Sequence, residues 1–502
     1  MKYIIKSLVV IALLGFTNIK AAKAQSNALI AGDFADPSII RVPGKGYYAV
    51  GTSSEWAPHF PVYKSSDLKI WKQTGYVFDK APEWTSGSFW APEYYFMNGQ
   101  YYIYYTARRK SDGVSYIGVA TSKFPDKGFQ DHGVIINHGK EAIDGFVFND
   151  NGQLYITFKA YGLENRPIEI LGYKLSADGM KVIGEPFSLL KDDERQGMEG
   201  QSILKKDGFY YLFYSAGNCC GGGCSYNVRV ARSKTFKGPY VKYDKNPLLR
   251  AEGEWKCTGH GTFVNTPEGK TYYLHHAYSN TNDVFTGRQG MLAELTWPVK
   301  GGWPVLKGSA IESNDNTNIT DQFKAAKPAL YWQWDFRNST PVIKQGGGKL
   351  SLSGTIKEGN TTGVALTVRP VSDNFEVTTT VTNSNSALKG LVFYGDAKAA
   401  AGIGVEGKEV QLWIVKDNKR EVLAQKALDS AAPVELKLSM RPDRTCKVFY
   451  RQDKNDWKEL AADRGLDIGF LPQWDRSPRI GLHFKGETGA VAEFSSFTLT
   501  NK

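Results

Sequence analysis

Gln100-Tyr101-Tyr102-Ile103-Tyr104-Tyr105 follows the turn pair Asn98-Gly99 and carries aromatic and β-branched side chains almost without a break. Such residues fit a pleated, packed surface, so the stretch reads as a strand leaving a tight turn. It recurs as Gly46-Tyr47-Tyr48-Ala49-Val50, Gln153-Leu154-Tyr155-Ile156-Thr157-Phe158, Phe209-Tyr210-Tyr211-Leu212-Phe213-Tyr214 and Lys270-Thr271-Tyr272-Tyr273-Leu274-His275. The units open near Asp36, Ala91, Asp144, Glu199 and His260, about 50 to 60 residues apart. A blade of this kind cannot bury both faces alone, so neighbours must stack around a channel, and five units predict a five-bladed β-propeller. Further strands of small and apolar residues, such as Tyr116-Ile117-Gly118-Val119-Ala120-Thr121-Ser122 and Asn227-Val228-Arg229-Val230-Ala231-Arg232-Ser233, supply the outer part of each blade.

The rest of the chain has a different texture. At 502 residues it exceeds one compact core, and 13% aromatic residues with 52 glycines point to an all-β protein rich in turns. The polar run Ser313-Asn314-Asp315-Asn316-Thr317-Asn318 reads as a linker. Beyond it, Lys349-Leu350-Ser351-Leu352, Phe375-Glu376-Val377-Thr378-Thr379-Thr380-Val381 and Val434-Glu435-Leu436-Lys437-Leu438 alternate apolar and polar residues, as strands of a two-sheet sandwich do. The expected division is 1–24, a leader; 25–306, the propeller; 307–320, the linker; and 321–502, the sandwich.

The leader is read from Lys2 and Lys6, the apolar run Leu8 to Phe16, and Ala22-Lys23-Ala24, the pattern of a signal peptide cut after Ala24. An exported protein, periplasmic or secreted and without membrane insertion, is the expectation. Four of the charges behind the formal net +11 are Lys2, Lys6, Lys20 and Lys23, and tracts such as Arg108-Arg109-Lys110 are short and isolated. That pattern favours a solvated basic surface over a nucleic-acid interface. In an exported chain, Cys219, Cys220, Cys224 and Cys257 favour disulfides, with Cys446 free. Adjacent Cys219 and Cys220 are expected to bridge to different partners, a tetrathiolate zinc site being the rival.

Chemistry enters with three acids at strand heads: Asp36 in Ala-Asp-Pro-Ser, Asp144 in Ile-Asp-Gly-Phe and Glu199 in Met-Glu-Gly-Gln. Singly, each also reads as a turn former. Together, in register around one mouth, they offer what glycoside hydrolysis with inversion needs: one carboxylate to activate water, one carboxyl to protonate the leaving oxygen, and a third to tune the donor.

In these motifs the segment from about Ala31 to Pro304 resembles glycoside hydrolase family 43. The resemblance implies Asp36 as general base, Glu199 as general acid and Asp144 as the residue that raises and orients the acid. It also implies that His260, in Gly259-His260-Gly261, stands in the channel and acts through water around a cation such as calcium, although the chemistry requires no cofactor. Arg288, in Gly287-Arg288-Gln289, is expected to bind sugar hydroxyls. Trp90, in Phe89-Trp90-Ala91-Pro92-Glu93, with Phe34, Phe146 and Trp56, is expected to form sugar platforms. Around Ala329-Leu330-Tyr331-Trp332-Gln333-Trp334-Asp335-Phe336 the sandwich resembles the jelly-roll (concanavalin-like) domain of exo-acting members, which closes the pocket.

The functional expectation is an inverting exo-glycosidase that takes terminal α-L-arabinofuranosyl or β-D-xylosyl residues from plant polysaccharides. Endo-1,5-α-L-arabinanase and exo-galactan hydrolase are the alternatives within the class, and a non-catalytic carbohydrate-binding propeller is the alternative outside it. The cysteine-bearing stretch from Gly217 to Gly223 departs from the family pattern, and whether it shapes the site or stiffens its rim stays open.

Overall fold

The computed structural model describes residues 28–161, 167–281, 283–309, 311, 313, 317–461 and 465–502. The expected leader lies outside these residues. The described chain is all β apart from the short turn of 3-10 helix Asp283–Phe285.

Five four-stranded antiparallel sheets follow one another. Their first strands are Ser38–Val42, Thr85–Met97, Glu141–Asp150, Met198–Lys206 and Trp255–Asn265. Each first strand packs on the next, and the fifth packs on the first, so the ring closes. The seam is stitched by the segment before blade I, where Leu29 N–H donates to Gly290 O at 2.8 Å and Gly290 N–H to Ile30 O at 3.0 Å. The repeated aromatic stretches are the second strands Gly46–Val50, Gln100–Arg109, Gln153–Tyr161, Phe209–Ala216 and Thr271–Ser279. Their rings fill the space between blades, with Tyr104, Tyr211 and Tyr273 fully buried.

The strand heads share a device that aims side chains into the mouth. Asp36 (φ 49°), Ala91 (45°), Asp144 (61°), Gly200 (59°) and His260 (41°) occupy the left-handed region at equivalent points of the five blades. In blades II to V the pairing register slips across this residue, the signature of a bulge. A bulge bends the strand and turns its side chain toward the axis, at a backbone cost that non-glycine residues accept only when packing enforces it. Blade IV is the variant: a Cβ on Gly200 would stand 2.7 Å from the His260 ring, so glycine takes the slot and the acid sits one residue earlier, at Glu199.

The sandwich opposes a nine-stranded sheet to a six-stranded one. Phe375–Val381 alternates buried and half-buried residues throughout. Its inward side chains meet Leu366, Leu391 and Leu482 from the other sheet in a single core. Lys307 and Gly308, expected in the linker, instead complete the last propeller strand Val305–Gly308, while Ile319–Asp321 already pairs with the sandwich strand Ala492–Asn501.

The two units are joined by backbone pairing. Trp334–Asp335 pairs antiparallel with Trp56–Ala57. This corrects the expectation for Trp56: its ring is buried against Tyr394 at 5.8 Å and beneath Arg479 at 4.8 Å, an anchor for the sandwich away from the sugar path.

Candidate active site

Asp36, Asp144 and Glu199 line one cavity of about 520 Å³, together with Trp90, Lys159, His260, Arg288 and, from the sandwich, Trp474 and Asp475. A second cavity, between the propeller side and the sandwich, holds none of the three acids.

Asp36 is held from three sides. Thr52 Oγ1 donates to its Oδ2 at 2.6 Å, and Arg288 Nη1 reaches Oδ1 at 3.0 Å and Oδ2 at 3.3 Å. Its backbone N–H donates to His276 Nδ1 at 3.0 Å. Burial, reinforced by the Arg288 charge, drives the His276 pKa well below its ordinary value. The imidazole is therefore neutral and positions Asp36 without neutralising it.

Asp144 and Glu199 share one electrostatic environment but are pushed in opposite directions. Burial raises Asp144 to about 6, with the Glu199 charge adding to the rise and His260 opposing it. Asp144 Oδ2 accepts the Gly200 N–H at 2.9 Å, which ties it to the strand carrying the acid. Burial also works to raise Glu199, yet the Lys159 ammonium 2.6 Å from Oε2, together with His260 and the Tyr226 hydroxyl, makes the net shift downward. Tyr226 O–H donates to the other oxygen, Oε1, at 3.0 Å. The site thus pulls the two carboxyls apart, favouring a proton on Asp144 and charge on Glu199.

His260 Nδ1 lies 3.5 Å from Asp36 Oδ1 and 3.8 Å from Asp144 Oδ2, at the centre of the constellation. A calcium ion seeks roughly six to eight oxygens. Here both Asp36 oxygens and Asp144 Oδ2 are already engaged by Arg288, Thr52 and Gly200. Among the described residues no group of three or more His, Cys, Asp or Glu is placed to hold a metal. The residues present do not fit a directly ligated calcium.

Two further platform expectations are corrected by packing. Phe34 is wholly buried, edge-on to Tyr63 at 5.2 Å in the blade I core. Phe146 packs between blades III and IV with Ile203 and Tyr210. Each stands two residues from an acid, where plain alternation would share its face, but the register slips between Ile143 and Phe146, and Phe34 precedes the first strand Ser38–Val42. Trp90 does line the cavity, its Nε1–H donating to Asp475 Oδ2 at 3.2 Å. Arg288 lines it too, its Nη1 donating to Asp36 and its Nη2 to the Asp475 carbonyl at 2.9 Å, while its Nε makes no hydrogen bond among the described residues.

Asp475 belongs to the sandwich segment Gln473–Ser477, whose position the sequence did not reveal. Asp33 fixes this segment to the propeller by accepting Ser477 N–H at 3.2 Å on one oxygen and Arg288 N–H at 3.2 Å on the other. Thus the sandwich walls the Asp36 end of the cavity. Lys159, Tyr226 and His276 were also missed: Lys159 and His276 sit inside strands that read as blade core, and Tyr226 stands in the loop just before the strand Asn227–Ser233. The one available signal was a charged residue, Lys159, interrupting the apolar strand Gln153–Tyr161.

The cysteines are corrected as well. Cys219 is bridged to its neighbour Cys220, and Cys224 to Cys257. The reason lies in the loop: Ser225 N–H returns to Asn218 O at 2.9 Å, and Cys224 is thereby presented to the strand Trp255–Asn265 while Cys219 and Cys220 stay on the cavity side. Cys446 is free and buried in the sandwich.

The family model for glycosyl hydrolases family 43 matches residues 25–304. The chain belongs to glycoside hydrolase family 43. Residues 320–483 match a second model, described as the beta xylosidase C-terminal concanavalin A-like domain. Among curated family 43 relatives, an extracellular exo-alpha-(1->5)-L-arabinofuranosidase of Cellvibrio japonicus is 29% identical over 56% of this chain and 88% of its own length. A xylan 1,3-beta-xylosidase of a Vibrio species is 27% identical over 56% of this chain and 57% of its own. Among solved structures, a xylan beta-1,4-xylosidase of Bacillus halodurans superposes with a TM-score of 0.83 at 22% identity, covering 95% of this chain and 100% of that one. Propeller and sandwich are therefore both shared with known family 43 folds, and this chain is a glycoside hydrolase.

Proposed function

We propose that this glycoside hydrolase is an inverting exo-glycosidase removing terminal α-L-arabinofuranosyl or β-D-xylosyl residues from plant cell-wall polysaccharides or oligosaccharides. The observation that carries the reading is the wall: Asp475 closes the cavity beside Asp36 and Arg288, leaving a pocket suited to a chain end. The matched relatives include an exo-arabinofuranosidase and xylosidases, and the second family model is described by beta xylosidase. An extracellular endo-alpha-(1->5)-L-arabinanase of Bacillus subtilis is also a relative, at 28% identity over 54% of this chain, and supports the endo reading in second place. The leader-like opening and the extracellular relatives support export, periplasmic or secreted.

In this mechanism Asp36, fixed by Arg288 and Thr52, takes a proton from the water that attacks the anomeric carbon. Glu199 gives its proton to the departing glycosidic oxygen as the C–O bond breaks, and configuration inverts. A sugar oxygen seated at Glu199 displaces Lys159 from Oε2 and removes the charge that depresses the acid. Asp144, beside Glu199, then becomes the carboxylate whose charge favours keeping the proton on the acid. Arg288 acts mainly through Asp36 and the wall.

The test is hydrolysis of nitrophenyl α-L-arabinofuranoside, β-D-xyloside and β-D-galactoside by the wild type, Asp36→Asn and Glu199→Gln. Turnover of a pentoside that collapses in both variants is expected. Full activity in either variant overturns the assigned roles, and binding without turnover by the wild type overturns hydrolysis.

A further inference from the structure

We infer that the Cys219–Cys220 disulfide and the Trp474 indole together form the binding platform for the sugar ring on the leaving-group side of the scissile bond. This rests on the exo reading above.

Three observations converge. Glu199 pairs with Ser215 across blade IV, and the chain continues from that strand through Gly217 into the cysteine pair, so the disulfide stands beside the acid. In the proposed mechanism the acid protonates the departing oxygen, and the ring attached to that oxygen must lie on this side. Both cysteines line the cavity, Cys220 buried and Cys219 half-buried, so the pair presents a small apolar, polarisable surface in place of two titratable thiols.

Trp474 supplies the other surface. It is 59% exposed, although tryptophan is ordinarily well buried, and it lines the same cavity. Its neighbour Asp475 is hydrogen-bonded to Arg288 and Trp90, and Gly221 of the cysteine loop lies beside the ring, where an added Cβ would stand 3.6 Å from Trp474 Cδ1. An indole held by its neighbours but left open on one side is prepared to cover the C–H face of a sugar. The cysteine loop is in turn pinned by Cys224–Cys257 and by the Gly221 N–H to Tyr278 Oη hydrogen bond at 3.3 Å. The platform is thus shared between propeller and sandwich, and it selects the residue from which the terminal sugar is removed.

The experiment compares kcat/KM on an unmodified pentosyl disaccharide with kcat/KM on the glycosyl fluoride of the same terminal sugar, whose leaving group places no ring on the platform. For Cys219→Ala/Cys220→Ala and, separately, Trp474→Ala, the disaccharide-to-fluoride ratio is expected to fall about tenfold, equivalent to losing roughly 1.4 kcal/mol of stacking. Trp474→Phe should restore most of it. A ratio within about twofold of wild type in both variants, or equal losses on both substrates as a purely structural role would give, overturns the platform. If wild type turns over the pentosides while the ratio stays constant, the platform alone falls. If wild type hydrolyses neither substrate, the exo reading falls and the platform with it.

Discussion

The five propeller heads and the sandwich segment Gln473–Ser477 build the same pocket by opposite means. The heads are a repeat: one backbone device, a left-handed residue, used five times and set at a bulge in blades II to V, to aim Asp36, Ala91, Asp144, the Gly200 variant and His260 at one axis. The segment is a single irregular loop that reaches the mouth only because Asp33, Arg288 and Trp90 hold it there. In the proposed mechanism the first region supplies reacting groups, and the second supplies shape. Chemistry should therefore be lost at the heads with the pocket intact, whereas shape should be lost at the loop with the chemistry intact.

The largest effect belongs to the heads. Asp36→Asn and Glu199→Gln should each lower kcat by about a thousandfold, within the range of general acid–base contributions, with thermal stability little reduced. Steady-state kinetics on the pentoside, with calorimetry alongside, checks this.

Next comes the join between the regions. Asp33→Ala removes the carboxylate beside Arg479, whose side chain is nearly inaccessible and lies 3.8 Å from Asp33 Oδ2. Stranding that charge should cost about 3 kcal/mol in urea unfolding. Because Asp33 also accepts Ser477 N–H, KM should rise more than kcat falls.

A subtler effect is written in pH. Burial lifts Asp144 to about 6 in the fold, above its unfolded value, so its contribution to stability is complete below the unfolded pKa and is lost as pH rises through about 6. Asp144→Asn should therefore melt increasingly above the wild type as pH goes from about 4 to 7, while its kcat falls. A melting-temperature difference that stays flat across that range would contradict the assignment.

The smallest expected change separates the two carboxyls. Lys159→Met removes the cation that holds Glu199 down, leaving burial to raise it, so the alkaline limb of kcat/KM should move to higher pH. An unmoved limb would mean that the ion pair at 2.6 Å is not what sets the protonation of the acid.

The contrast also explains what could be read beforehand. Repetition made the heads legible: strands such as Gly46–Val50, Asn227–Ser233 and Phe375–Val381 fall where composition and alternation place them, because each buries a regular face. The platform expectations for Phe34 and Phe146 failed because proximity in sequence to a mouth-facing acid does not decide which face of the strand a ring takes, and Trp56 was claimed by the sandwich. The Cys219–Cys220 bridge escaped because pairing depends on where the loop turns at Asn218 and Ser225. Asp475 and Trp474 left no local trace at all: more than 400 residues separate Asp33 from Ser477, and only the assembled domains bring them to one wall.

The central claim, that a sandwich loop converts a propeller mouth into a pocket for chain ends, is tested most directly by the first products from a linear pentose oligosaccharide labelled at its reducing end. Free monosaccharide and a labelled chain shorter by one unit are expected from the earliest time points. Labelled fragments shortened by several units at once would show cleavage within the chain and contradict it.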